Sequence, residues 1–100
     1  MNKTVFLQLL FITSLLADNG EKLYQQKCQN CHGEMGQLSA LGHSEAIGGW
    51  DATKTIEALH GYRDKERNSN GMGSYMKVKM ATYSDADIAE LAQYIATLKK

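Results

Sequence analysis

The sequence predicts an all-α fold of short helices that wrap around a bound group. No segment alternates apolar and polar residues in the manner of a half-buried strand. Three segments carry helical signals, and the loops between them are long and contain many glycines. Because long loops in a compact domain usually line a functional site, we expect these loops to surround a large flat ligand.

The first 17 residues have the profile of a secretory signal peptide. Lys3 precedes a mostly apolar run from Val5 to Leu16. An apolar run of about a dozen residues is too short for a bilayer core of about 30 Å. We therefore expect residues 1–17 to be a signal peptide, with a retained anchor as the alternative. Residues 18–100 then form a single domain that is exported.

Size and charge limit what that domain can be. A chain of roughly 80 residues seldom builds an apolar core with a comfortable margin of stability, so a bound cofactor is expected to contribute. The 11 basic residues balance the 11 acidic residues. This balance favours neither nucleic acid nor an anionic membrane as a partner.

Three helices are predicted in order along the domain. The first runs from about Gly20 to Lys27 and leads into the first cysteine. The second begins at Thr53, with Asp51 as its cap, and stops at Gly61. The third begins after Ser84, where a capping box with Asp87 is expected. Its apolar residues fall on one face: Ile88, Leu91, Ala92, Ile95 and Leu98.

The segments 33–50 and 63–75 are predicted to be loops, because they are polar or contain several glycines. The second loop leads into a group of basic residues. That basic patch comprises Arg63, Lys65, Arg67, Lys77 and Lys79.

The sequence Cys28-Gln29-Asn30-Cys31-His32 admits three interpretations. In the first, both thiols add to the vinyl groups of haem and His32 turns its imidazole onto the iron. In the second, the thiols form a redox dithiol, which normally begins a helix after a strand, whereas this pair follows a helix. In the third, the thiols bind zinc with His43 and His60, although the spacing is unusual and no second C-x-x-C exists. Haem attachment fits best.

A haem iron held by histidine can take a second ligand on its opposite face. Methionine sulfur is common there in electron carriers and raises the reduction potential. Met72, Met76 and Met80 are the candidates and are spaced by four residues. His43 and His60 are alternatives that would give a lower potential.

The chain resembles the small bacterial class I cytochromes c, single-haem carriers of the periplasm, over residues 20–98. The resemblance lies in Gly20-x-x-Leu23-Tyr24, in Cys28-x-x-Cys31-His32-Gly33, in the segment 59–64, and in Met76 followed by the segments 83–88 and 91–95. It implies the class I cytochrome c fold, with three to five short helices around one haem. It also implies that the first and last helices cross near Gly20 and Tyr94.

The resemblance also implies the site. Cys28 and Cys31 would anchor haem c, and His32 would ligate its iron. The distal methionine of the family stands seven residues before the residue at Tyr83, which indicates Met76, with Met80 next and Met72 last. Trp50, Tyr62 and Tyr75 would either donate to haem propionates or pack nearby.

One departure from the family concerns the orientation of the histidine. Many relatives orient it through a proline carbonyl, but this chain has no proline. We expect a backbone carbonyl within residues 34–49 to take that role.

The function implied is one-electron transfer by a periplasmic monomer that is not an enzyme. Its partners would be a membrane-bound respiratory complex, a terminal oxidase, or a periplasmic peroxidase or reductase, docked transiently around the haem edge. The basic patch could steer an acidic partner. The alternatives are a haem subunit of a larger redox complex, and a haem gas sensor or peroxidase with an open iron position.

Overall fold

The computed structural model describes residues 19–98, and these form five α-helices and no strand. The helices are α1 (residues 19–27), α2 (Gln29–His32), α3 (Ala52–Asp64), α4 (Gly73–Met80) and α5 (Asp85–Thr97). Single turns of 3₁₀-helix occupy Ala40–Gly42 and Ser69–Gly71. The predicted all-α class is confirmed. The predicted signal peptide lies outside the described residues. Across residues 19–98, every helix is too short or too polar to cross a membrane.

Helices α1 and α5 cross at Gly20, as the resemblance implied. A Cβ at Gly20 would collide with the carbonyl oxygen of Glu90 and would lie 3.0 Å from Cβ of Tyr94. Only glycine allows the two backbones to approach this closely. One turn further on, the rings of Tyr24 and Tyr94 pack with their centroids 5.6 Å apart.

Helix α5 begins with the predicted capping box and carries the largest share of the core. The Ser84 hydroxyl accepts from the backbone N–H of Asp87 at 3.0 Å, and the Asp87 carboxylate accepts from the backbone N–H of Ser84 at 3.0 Å. Its predicted apolar face is buried in the structure: Ile88, Leu91, Ala92, Ile95 and Leu98. Burial of each large apolar side chain contributes roughly 1.5–3 kcal/mol.

Helix α3 begins as predicted but ends later. The Asp51 carboxylate accepts from the backbone N–H of Thr53 at 3.1 Å, so Asp51 is the cap. The predicted stop at Gly61 is wrong, because the helix continues to Asp64. Gly61 is buried, and a Cβ there would lie 3.1 Å from the Arg67 side chain. Gly61 therefore leaves room for the Arg67 side chain and does not end the helix.

Helix α4 was not predicted, since its first residues fall within the expected loop 63–75. Two side chains hold it against the end of α3. The Asn68 side-chain oxygen accepts from the backbone N–H of Gly73 at 2.8 Å. The Lys77 ammonium donates to the carbonyls of Arg63 and Lys65, at 3.4 and 3.2 Å. Lys77 thus satisfies carbonyls that the end of α3 leaves without helical partners.

Arg63 of the basic patch ties α3 to the start of α5. Its guanidinium donates to the carbonyl of Tyr83 at 2.9 Å and to the carboxylates of Asp64 and Asp85, at 2.7 and 2.6 Å. The hydrogen bonds from Arg63 lower the pKa of Asp64 to about 2. The Tyr83 hydroxyl in turn donates to the carbonyl of Leu23 in α1. These hydrogen bonds hold α1, α3 and the start of α5 together around the site.

Candidate haem site

The two cysteines and His32 lie where α1 passes into α2. The backbone N–H of Cys28 donates to the carbonyl of Tyr24 at 2.8 Å, and that of His32 donates to the carbonyl of Cys28 at 2.9 Å. The Tyr24 hydroxyl donates to the carbonyl of Gly33 and so fixes the end of this turn. Both thiols and the imidazole are therefore presented from one short, well-anchored helical segment.

Both cysteines are free thiols, and their surroundings differ. Cys28 is buried in the core, and burial raises the pKa of its thiol to about 12. Cys31 is half-buried. A redox dithiol needs a thiol that ionises easily, and burial of Cys28 opposes this. The environment thus argues against the dithiol interpretation.

His32 lies in the wall of a cavity and is only 8% exposed. Burial lowers the pKa of its imidazole, which favours the neutral form that metals bind. Its Nδ1 has no hydrogen-bond partner. The carbonyl bond expected from residues 34–49 is therefore not formed in this structure. Buried polar atoms without partners are rare in proteins, and an absent bound group is one explanation for such an atom.

The cavity beside His32 is partly open to solvent. Its walls come from the glycine-bearing loop, from α3, and from the segment that starts α4. Apolar and aromatic side chains form much of this wall: Ile47, Trp50, Ala58, Leu59, Tyr62, Met72 and Met76. The wall beside His32 is therefore largely apolar, as a site for a large apolar group requires.

The three candidate methionines are divided between the cavity and the core. Met76 is half-buried and Met72 is buried, and both line the cavity with His32. Met80 is completely buried in the core and does not line the cavity. A spacing of four residues turns a helix by about 40° beyond a full turn and advances it about 6 Å. Compared with Met76, Met80 therefore lies further along α4 and is turned away from the cavity.

Two of the three aromatic candidates reach the cavity. Trp50 lines it, and the Lys54 ammonium lies 3.9 Å from the centre of its ring. Tyr62 also lines it, with the guanidinium of Arg67 5.3 Å from the ring centre. Tyr75 does not line the cavity and is 60% exposed.

Tyr75 instead lines a second, open depression that we call the outer pocket. The outer pocket is formed by Leu41, His43, Asn70, Gly71, Met72 and Tyr75. It shares Asn70 and Met72 with the cavity. His43 lines the outer pocket but not the cavity. His60 does not line the cavity either, because it lies in the cluster of Arg63, Asp64 and Asp85.

Several polar residues of the cavity wall were not predicted from sequence, and two of them are Thr55 and Arg67. Thr55 lines the cavity and is almost completely buried, and its hydroxyl has no partner. Arg67 lines the cavity after its side chain passes over Gly61. Nothing in the sequence distinguishes Thr55 from other helical threonines, and Arg67 looked like one more residue of the basic patch.

This arrangement suits covalent haem better than zinc. Within residues 19–98, no three His, Cys, Asp or Glu side chains are close enough to hold a metal ion by themselves. Haem needs only His32 and one further ligand from the protein, with the thiols on its edge. The buried imidazole, the apolar wall and the cavity methionines fit that group. The two free thiols adjoin His32 in sequence, but neither lines the cavity in this structure.

The comparisons with known proteins agree with the site. No curated protein matches the chain in sequence. The family model described as Cytochrome c matches residues 17–99. Proteins of this family bind haem c, with its iron, by covalent attachment, and they are usually electron carriers rather than enzymes. Since the match spans the α1–α2 attachment segment, the cavity and all five helices, the chain belongs to the cytochrome c family.

Proposed function

We propose that this chain is a periplasmic electron carrier with a single haem, whose iron is ligated by His32 and Met76. It would pass single electrons between respiratory redox proteins and would transform no substrate. The observation that carries this proposal is that His32 and Met76, from different helices, line the same cavity. When bound, haem c supplies a one-electron couple to this site.

The chain's own residues have separate roles in this proposal. Cys28 and Cys31 anchor the group through thioether bonds, which α1 and α2 hold in place. His32 is kept neutral by burial, so that no proton has to leave before it ligates iron. Met76 supplies a soft sulfur ligand that favours the reduced iron and raises the potential.

The cavity wall would control how freely water reaches the site. Leu59 and Ala58 of α3 are buried, and Ile47 and Trp50 lie on the loop side of the cavity. An environment of low polarity disfavours the state with the greater charge and so helps to set the reduction potential. Trp50 and Tyr62 each carry a polar hydrogen that can be donated to a haem propionate.

The choice of Met76 over Met72 rests on the position of each residue in α4. Met76 lies within the helix, and its backbone N–H donates to the carbonyl of Met72 at 3.0 Å. Met72 precedes the helix and also lines the outer pocket. A ligand held by a regular helix is better fixed than one at a helix end.

Three single substitutions test the ligand assignment. The oxidised parent protein should show the far-red charge-transfer band of a methionine sulfur on ferric haem. Met76→Ala should abolish this band and let the reduced protein bind carbon monoxide. Met72→Ala and Met80→Ala are the matched controls and should keep the band.

A parent protein without the band would contradict the proposal. If it also had a high-spin spectrum and bound carbon monoxide readily, the gas sensor or peroxidase function would replace it. Loss of the band in Met72→Ala alone would transfer the ligand role to Met72.

Export is tested separately by N-terminal sequencing of the protein isolated from the periplasm. We expect the mature chain to begin near Asp18, because the apolar run ends at Leu16 and Ala17 suits the cleavage position. Recovery of the intact N-terminus in the membrane fraction would instead identify residues 1–17 as an anchor.

A further inference from the structure

Two uncharged segments meet at the outer pocket. Residues 35–44 and 68–76 contain no Asp, Glu, Lys or Arg, although 22% of the chain is charged. The pocket residues Leu41 and His43 come from the first segment, and its remaining four residues come from the second. The lining of the outer pocket therefore carries no permanent charge.

The same face exposes large apolar side chains. Leu41 is 54% exposed and Tyr75 is 60% exposed, and both line the outer pocket. Exposed apolar groups that are clustered rather than scattered mark interaction surfaces.

The backbone at Leu41, beside the outer pocket, is strained. Leu41 has φ 53° and Asn70 has φ 59°, both in the left-handed region. Asparagine adopts this region readily, but a branched side chain such as that of leucine rarely does. A leucine in this conformation that also faces solvent gains little from burial to offset the strain. Such strain is often kept at functional sites, so it favours a contact role for the Leu41 turn.

The outer pocket adjoins the cavity that would hold the haem. Asn70 and Met72 line both, so the two spaces are neighbours. A partner seated in the outer pocket would therefore approach the cavity more closely than one placed over the far ends of the helices.

The basic patch is a weaker candidate for this contact. Arg63 already binds Asp64 and Asp85, and Lys77 already binds two carbonyls of the α3 end. Of the patch residues, Arg67 alone lines the cavity, and the outer pocket is lined by none of them.

We propose that the outer pocket is the surface through which this carrier docks, and that its partner is a redox protein with an uncharged, apolar contact face. This inference rests on the proposed electron-carrier function. Docking would be driven by apolar contact and would depend weakly on salt, unlike docking steered by lysines and arginines.

The test compares the rates at which the protein passes electrons to negatively and positively charged acceptors. These rates report the charge of the surface through which electrons leave. The reduced haem protein is mixed with hexacyanoferrate(III), a trianion, or with tris(phenanthroline)cobalt(III), a trication, and each probe accepts one electron. We expect both second-order rate constants to change less than about twofold between roughly 0.01 and 0.2 M ionic strength.

Exit through the basic patch would give a different result. The rate with the trianion would then fall several-fold as salt is added, and the rate with the trication would rise. That result would overturn the proposal, and the spectra of the methionine variants would still decide the proposed function independently.

Leu41→Lys places one charge at the outer pocket. A unit charge about 8 Å from a triply charged probe should accelerate the trianion and slow the trication about eightfold at roughly 0.01 M ionic strength, and about twofold at roughly 0.2 M. Gln93→Lys adds the same charge to an exposed position of α5, which lines neither space. It should change both rates less than about twofold.

A protein-sized probe completes the test. Electron self-exchange between reduced and oxidised copies can be measured from NMR line widths. Leu41→Lys/Tyr75→Lys should slow it more than about tenfold at low salt, since both copies then repel each other across the face. Unchanged self-exchange, or a stable dimer of the parent in sedimentation, would overturn the proposal. Unchanged reduction potentials in the variants would show that the haem site itself is intact.

Discussion

Loss of Met80 should destabilise the fold without disturbing the iron. Its side chain is fully buried in the cluster that includes Tyr24, Ile88 and Leu91. Met80→Ala removes the chain beyond Cβ, which loses about 2 kcal/mol of transfer free energy at roughly 0.8 kcal/mol per methylene-sized group. Incomplete collapse of the resulting cavity adds to this, and buried Met→Ala changes cost about 2–5 kcal/mol. We expect a loss of about 3 kcal/mol in the free energy of unfolding.

The assay is urea unfolding of the haem-loaded protein, followed by far-ultraviolet circular dichroism. With a slope of roughly 1.5 kcal/mol per molar urea, the midpoint should fall by about 2 M. Val78→Ala is the matched control on the same helix, because Val78 is 74% exposed. It should change the free energy of unfolding by less than about 0.5 kcal/mol. A midpoint shift below about 0.5 M for Met80→Ala, or loss of its far-red band, would refute the assignment of Met80 to the core.

Three further predictions follow from the frame around the site. Gly20→Ala should lower the urea midpoint by at least about 0.5 M, because the new methyl group meets the Glu90 carbonyl; an unchanged midpoint would mean that the helix crossing adjusts freely. Ser84→Ala should cost about 1 kcal/mol in the same assay, since the capping box is lost; restoration by Ser84→Asp would identify capping as the cause. Arg63 holds the pKa of Asp64 at about 2, below its ordinary value, so the stability contributed by Asp64 is present above about pH 4 and is lost as the pH falls towards about 2. Thermal melts across this range should therefore depend less on pH in Asp64→Asn, and equal slopes in parent and variant would contradict the ion pair.

The helices with strong local signals could be predicted from sequence. The capping residues Ser84 and Asp51 act in the structure as the pattern indicated. The crossing at Gly20 was implied by the family resemblance and is present. In each case the cause is local or is a recurrent contact of the fold.

Helix α4 and the end of α3 could not be predicted in the same way. The residues of α4 show no regular apolar stripe, and the helix begins with a glycine, which disfavours helix formation. It is held by Asn68, which precedes the helix, and by the contact of its own Lys77 with the Lys65 carbonyl. Gly61 was mistaken for a stop, because its contact with Arg67 is tertiary.

The site, like the fold, could be predicted only where its signal is local in the sequence. The attachment motif is contiguous, so Cys28, Cys31 and His32 are evident from sequence alone. The cavity wall is assembled from distant segments, so the unpartnered hydroxyl of Thr55 and the reach of Arg67 became visible only in three dimensions. The division of the methionines likewise required knowing that α4 is a helix.

The most direct measurement of the central assignment is the proton NMR spectrum of the reduced haem protein. A methionine methyl bound to low-spin ferrous haem lies over the ring face, where the ring current moves its signal far upfield. We predict one such three-proton signal in the parent. We also predict that it persists in Met72→Ala and Met80→Ala and is absent in Met76→Ala. A parent without the signal, or a Met76→Ala protein that retains it, would contradict ligation by His32 and Met76.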